Sequence, residues 1–159
     1  MIKDKITILG IGSLIYSDDG IGIHALKPLI EKYKNDENIE IVEGATDGMM
    51  LLAYVEDASH LIIIDAINNG KPGGTIMQLN GEEIPAYYGI KMSVHQAGFQ
   101  EVLWIAKFRE RYPKNITMIG MQPTNLEMGL ELSETNQNQL PKLVEKVINQ
   151  VEVWRSGLI

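Results

Sequence analysis

Cysteine is absent from this chain of 159 residues, which excludes disulfides, thiolate nucleophiles and thiolate-rich metal centres by composition alone. Any metal must be bound through oxygen and nitrogen. Clustered positive charge is also missing, and a net charge of −7 repels a phosphate backbone, so nucleic acid is not an expected partner. No apolar run approaches the roughly 18 residues a membrane span needs, and the expected location is the cytoplasm. Lys3 and Lys5 ahead of the apolar stretch Ile6 to Tyr16 imitate a secretory leader. Gly10 and Gly12 interrupt that stretch, however, Ser17, Asp18 and Asp19 end it, and no small-x-small cleavage site follows. The nucleotide signatures are incomplete as well. Gly10, Ile11, Gly12 opens like a dinucleotide fingerprint, but Ile15 stands where the third glycine belongs, and no G-x-x-x-x-G-K-[ST] loop exists. A G-x-S-x-G nucleophile elbow is absent too.

What remains is ordinary globular material: 45% apolar and 22% charged residues, enough for one core and read as a single domain over residues 1–159. Ile6 to Leu9 predicts a first strand ending in Gly10, Ile11, Gly12. From Asp19 onward Ile23, Leu26, Leu29 and Ile30 recur at helical spacing, with Pro28 weakening or kinking that helix. A second strand is expected over Ile39 to Val42. The turn Gly44, Ala45, Thr46, Asp47, Gly48 then leads into a helix from Met49 to Val55. Leu61 to Ile64 is an uninterrupted apolar strand, Thr75 to Leu79 another, and Ile116 to Met121 the last. Gln96 to Arg109 is expected to be helical, as is the stripe Leu140, Leu143, Val144, Val147, Ile148, Val151. Gly81 to Met92 shows no period, contains Pro85, and is expected to be a long irregular connection. Continuous apolar strands alternating with helices predict an α/β fold: a doubly wound, mostly parallel central sheet of about five strands with helices on both faces.

In such a sheet, ligands bind beyond the carboxyl ends of the strands. Asp18 and Asp19 follow the first strand, Asp65 ends the Leu61 to Ile64 run, and His95 precedes a helix, so their loops can share one edge. Each has a plainer account. Asp65 can cap the next turn, the aspartate pair can simply favour a helix start, and Ser93 can be a helix cap with His95 merely in the first turn. His24 and His60 have no acidic neighbour that loop convergence would supply and are read as structural or exposed. Two carboxylates and an imidazole would suit divalent nickel, zinc or iron with coordination positions left open, and such a metal can polarise a carbonyl without a nucleophilic side chain. Gly10 and Gly12 are read as letting the loop turn tightly beside the site.

Gly10 to Leu14 with Asp18 to Gly22, Ile62 to Ala66, and Ser93 to Gln96, together with the Gly44 to Gly48 turn, occur in an order and spacing that resembles the hydrogenase maturation proteases over nearly the whole chain. Ser13 stands where that family usually has asparagine, and Asp19 where some members have glutamate. The resemblance implies an endopeptidase that removes a C-terminal extension from the large-subunit precursor of a nickel-iron hydrogenase after nickel insertion. It also implies that Asp19, Asp65 and His95 form the metal and catalytic set, that nickel arrives with the substrate rather than as a resident cofactor, and that the precursor is the partner of a monomeric enzyme. Met49, Met50, Tyr87 and Tyr88 suit a docking surface for that precursor, with core packing the expectation for the methionines. Two alternatives are a phosphoacceptor signalling domain, which would leave His95 and the Gly44 to Gly48 turn unexplained, and a nickel-binding accessory protein without peptidase activity.

Overall fold

A computed structural model describes residues 4–45, 49–90 and 94–157. β1 (Ile6–Ile11) runs through a 3-10 turn (Ser17–Gly20) into α1 (Ile21–His24) and α2 (Leu26–Tyr33). β2 (Ile39–Ala45), α3 (Leu52–Asp57), β3 (His60–Ala66), β4 (Ile76–Asn80), α4 (Glu83–Ile90), α5 (Val94–Phe108), β5 (Asn115–Met121) and α6 (Glu134–Arg155) follow. The strands form one sheet in the order β2-β1-β3-β5-β4. The β1, β2, β3 and β5 pairings are parallel, while β4 lies antiparallel on β5 at one edge. This is the expected doubly wound α/β sheet, with helices on both faces.

Period-two alternation divides the strand side chains between two cores. Ile6 and Ile8 of β1 and Ile62 and Ile64 of β3 pack with α1, α2 and α6. Leu9 and Ile11, with Leu61 and Ile63, face α3, α4 and α5. All seven β3 residues are buried, as expected for a central parallel strand covered on both sides. The Thr46, Asp47, Gly48 part of the predicted turn and the Ser93 cap lie outside the described residues. His60 is structural: its ring stacks on Trp154 at 5.0 Å and Nδ1 meets Asn115 Nδ2 at 2.9 Å. Burial pushes its imidazole pKa down.

Two departures from the sequence expectation share one cause. The helix expected from Asp19 is split at Ala25, because the Pro28 ring would collide with the carbonyl four residues earlier, at His24. The stretch expected to be irregular from Gly81 instead carries α4. Pro28 and Pro85 are each the third residue of their helix. The first-turn N–H groups of a helix have no intrahelical acceptor, so proline there forfeits nothing and marks a beginning rather than a break.

The first turn of α1 rests on the strand carbonyls. A Cβ at Gly22 would come within 2.1 Å of the Ile64 carbonyl oxygen and 2.4 Å of that of Ile11, distances no side chain tolerates. Neither neighbour can yield without distorting a central strand. Gly22→Ala is therefore expected to lower the unfolding free energy by about 3 kcal/mol, read as a reduced midpoint in urea with unchanged m.

Candidate active site

Asp65 occupies the last turn of the pleat in β3, paired with Gly120 of β5. Following Leu61 and Ile63 at two-residue steps, it projects into the α3/α4/α5 layer. Its side chain is fully buried, a position a carboxylate holds only with compensating donors. Oδ1 accepts the Ala66 N–H at 2.8 Å, and Oδ2 accepts the Tyr88 hydroxyl at 3.0 Å. Tyr88 packs edge-on against Tyr87 and Phe99, with centroids 5.4 and 5.3 Å apart. The Tyr87 hydroxyl donates to the Ala66 carbonyl at 3.3 Å and accepts the Asn68 N–H at 3.0 Å. Burial first, and then the Asp65 charge and hydrogen bond, push the Tyr88 phenol well above its ordinary value. It therefore stays a proton donor throughout the neutral range.

Asp19 reaches the same edge from the loop after β1. Gly12 adopts φ +142°, and a Cβ there would lie 2.1 Å from the Asp19 carbonyl oxygen, so the loop folds onto itself as the glycines suggested. Asp19 Oδ2 accepts the Ser13 N–H at 3.0 Å. Because that donor is backbone, the bond does not depend on whether residue 13 is serine or asparagine. Asp19 is also close enough to raise the Tyr88 phenol pKa, as a smaller contribution. The two carboxylates thus act on one buried hydroxyl.

His95 lies in the first turn of α5, four residues before the Phe99 that packs on Tyr88. Its backbone therefore belongs to the same layer as Asp65, while its imidazole lies outside the described side chains. Among the described residues, no trio of carboxylate and imidazole groups gathers into a metal-binding cluster.

Asp18 and Asp19, alike in the sequence, are separated by the fold. Asp18 is fully buried, and its carboxylate accepts the N–H groups of Thr124, Asn125 and Ser133 and the Ser133 hydroxyl, each at 2.8 Å. Ser133 is in turn the N-cap of α6, accepting the Asn136 N–H at 3.2 Å. Asp18 is a structural clip between the β1 loop, the segment after β5 and the last helix. Gln122 makes a second clip: its Oε1 accepts from Asn69 N and Lys71 N, and its amide donates to Asn68. Neither clip was legible, because nothing in the sequence near Asp18 names Ser133 as its partner.

The surface expectations divide differently. Tyr87 and Tyr88 are buried and hold Asp65 rather than a partner. Met49 and Met50, expected in the core, are 51% and 71% exposed, because they lie on a 3-10 turn whose only buried residue is Leu51. A groove of about 380 Å³ lined by Pro85, Trp104, Phe108 and Tyr112 runs along α4 and α5 and includes neither Asp19 nor Asp65.

Known proteins resemble this chain over most of its length. Residues 23–150 match the hydrogenase maturation protease family. The hydrogenase expression/formation protein HupD of Rhizobium leguminosarum bv. viciae is 36% identical over 152 residues, covering 94% of this chain and 75% of that protein. The hydrogenase 2 maturation protease of Escherichia coli K12 is 36% identical over 145 residues, covering 91% and 88%. The solved hydrogenase maturating endopeptidase HybD of E. coli superposes with a TM-score of 0.85 at 33% identity, over 96% of this chain and 94% of that one. Fold and relatives define an α/β endopeptidase of the doubly wound class. The chain belongs to the hydrogenase maturation protease family.

Two substitutions separate the roles of the aspartates' partners. Asp18→Asn replaces an anion facing four donors and is expected to cost about 3 kcal/mol of stability, read by thermal unfolding. Tyr88→Phe removes a single buried donor from Asp65, for which a loss of about 1–3 kcal/mol is expected. A loss from Asp18→Asn below that from Tyr88→Phe would contradict the clip.

Proposed function

We propose that this protein cleaves the C-terminal extension from the large-subunit precursor of a nickel-iron hydrogenase once nickel has been inserted, and that Asp19, Asp65 and His95 recognise that nickel. The observation that carries this reading is Asp65: a fully buried carboxylate at the end of a central strand, oriented by Tyr88 and the Ala66 amide, in a family whose relatives are named as maturation proteases. A carboxylate with a fixed plane is a ligand whose geometry is set before the metal arrives, and preorganisation of that kind lowers the cost of capture.

In this scheme the nickel is part of the substrate. Asp19 and Asp65 supply oxygen ligands and His95 a nitrogen ligand, a borderline set suited to divalent nickel. The metal holds the scissile peptide against the sheet edge and polarises its carbonyl. Water adds to the carbonyl carbon, the C–N bond breaks, and the proton passes to the departing amine, leaving a carboxylate on the subunit and a free amine on the extension. No nucleophilic side chain is required. The chain is taken to act in the cytoplasm as a monomer, and no helix among the described residues is long and apolar enough to cross a membrane.

Replacement of Asp19 or Asp65 by Asn, or of His95 by Gln, is expected to slow trimming of nickel-loaded precursor by about 100-fold or more, with the subunit mass read by mass spectrometry. Normal trimming by all three variants would sink the proposal. Nickel-dependent binding of the precursor by the wild-type chain without any cleavage would favour the accessory-protein alternative.

A further inference from the structure

Two loops beside Asp19 carry large apolar side chains that the core does not use. Leu14, Ile15 and Tyr16 precede the 3-10 turn, and Leu126, Met128 and Leu130 follow β5. Ile15 is 50% exposed, Met128 78% and Leu130 71%. These are not frayed segments. The Ser17 N–H donates to the Gly129 carbonyl and the Gly129 N–H to the Ile15 carbonyl, both at 2.9 Å. The Ser17 hydroxyl donates to the Glu127 carbonyl at 2.6 Å. Tyr16 and Gly129 form a parallel bridge, which sets Ile15 beside Met128. A Cβ at Gly129 would lie 2.9 Å from the Ser17 hydroxyl, so the approach is a close one. The Asp18 clip fixes both segments from beneath.

A rigid, apolar surface held open to water is a recurrent mark of a docking site, and methionine adapts well to a partner's shape. The two segments that form it carry charge of one sign only. No lysine or arginine occurs from residue 6 to 26 or from 115 to 141, whereas Glu127 and Glu131 are exposed on the second loop and Asp19 lies three positions after Tyr16 in the chain. An apolar centre with an acidic rim complements an apolar segment flanked by lysine or arginine.

We propose that this collar binds an extended, apolar, basic-flanked segment of the precursor adjoining the bond that is cut, holding it so that the scissile peptide falls over Asp19 and Asp65. The proposal rests on the endopeptidase reading above. It assigns substrate affinity to residues outside the carboxylate and histidine set.

The test compares the full-length wild type with Met128→Ser/Leu130→Ser and with Glu127→Lys/Glu131→Lys, using nickel-loaded precursor as substrate. Because the substituted side chains are exposed, unchanged circular dichroism and Tm are required of each variant. The apolar pair is expected to raise KM by about 10-fold, the equivalent of about 1.4 kcal/mol of lost contact, with kcat within about twofold of wild type. The charge reversal is expected to raise KM at low salt, with the difference shrinking toward 1 M salt. An unchanged KM, or a loss confined to kcat, would overturn the collar while leaving the endopeptidase reading intact. Self-association of the wild type that the apolar pair abolishes, seen by sedimentation, would assign the surface to a second copy of the chain and overturn it as well. Failure of the wild type to cut precursor at all would instead remove the reading on which the collar depends.

Discussion

A carboxylate without solvent must be surrounded by donors, and for Asp18 those donors come from a distant part of the chain. Two amides after β5, one amide at the start of α6 and the hydroxyl that caps that helix all converge on it. Buried anions left unpaired are so costly that this contact dictates the surrounding geometry. It places the loop after β1, turns the segment after β5 back across the sheet edge, and anchors the longest helix. Asp19, one residue further on, inherits its position from that anchor. The Gly12 turn and the Ser13 amide then set its carboxylate.

The adjacent aspartates therefore have opposite lives, one a fixed structural anion and the other a half-buried group at the site. That division also weighs against a phosphoacceptor domain, which needs its acidic pair available for a cation. Here one member is committed to protein donors. Asp65 is held by a different strategy. It takes one donor from its own neighbour and one from a tyrosine whose ring is braced by two further aromatics. The Asp19 loop is tied down by backbone and Asp65 by packing, so the two sides of the edge resist displacement independently.

Much of the scaffold was legible in the sequence. Uninterrupted runs such as Leu61 to Ile64 announced buried parallel strands, and their alternation with helical spacing announced the doubly wound sheet. The abrupt charge at Asp65 marked the carboxyl end of a central strand. Less legible was anything that depended on contacts remote in sequence. Tyr88 fell in a stretch whose mixed periodicity and Pro85 suggested irregular chain, although a proline in the first turn is a helix start as readily as an interruption. Met49 and Met50 looked like core by residue type, but burial is decided by which side of a short 3-10 turn meets the sheet. Asp18 could not be told from Asp19, because the pairing that separates them spans more than a hundred residues.

That span has a consequence for biosynthesis. Ser133 and the following helix are synthesised more than a hundred residues after Asp18, and until they emerge from the ribosome Asp18 lacks two of its four donors. β1, β2 and β3 can pair earlier, but the edge they present is unfinished. The carboxyl edge of the sheet is therefore completed only when that helix docks, and a chain halted before Ser133 carries an under-satisfied buried anion at Asp18.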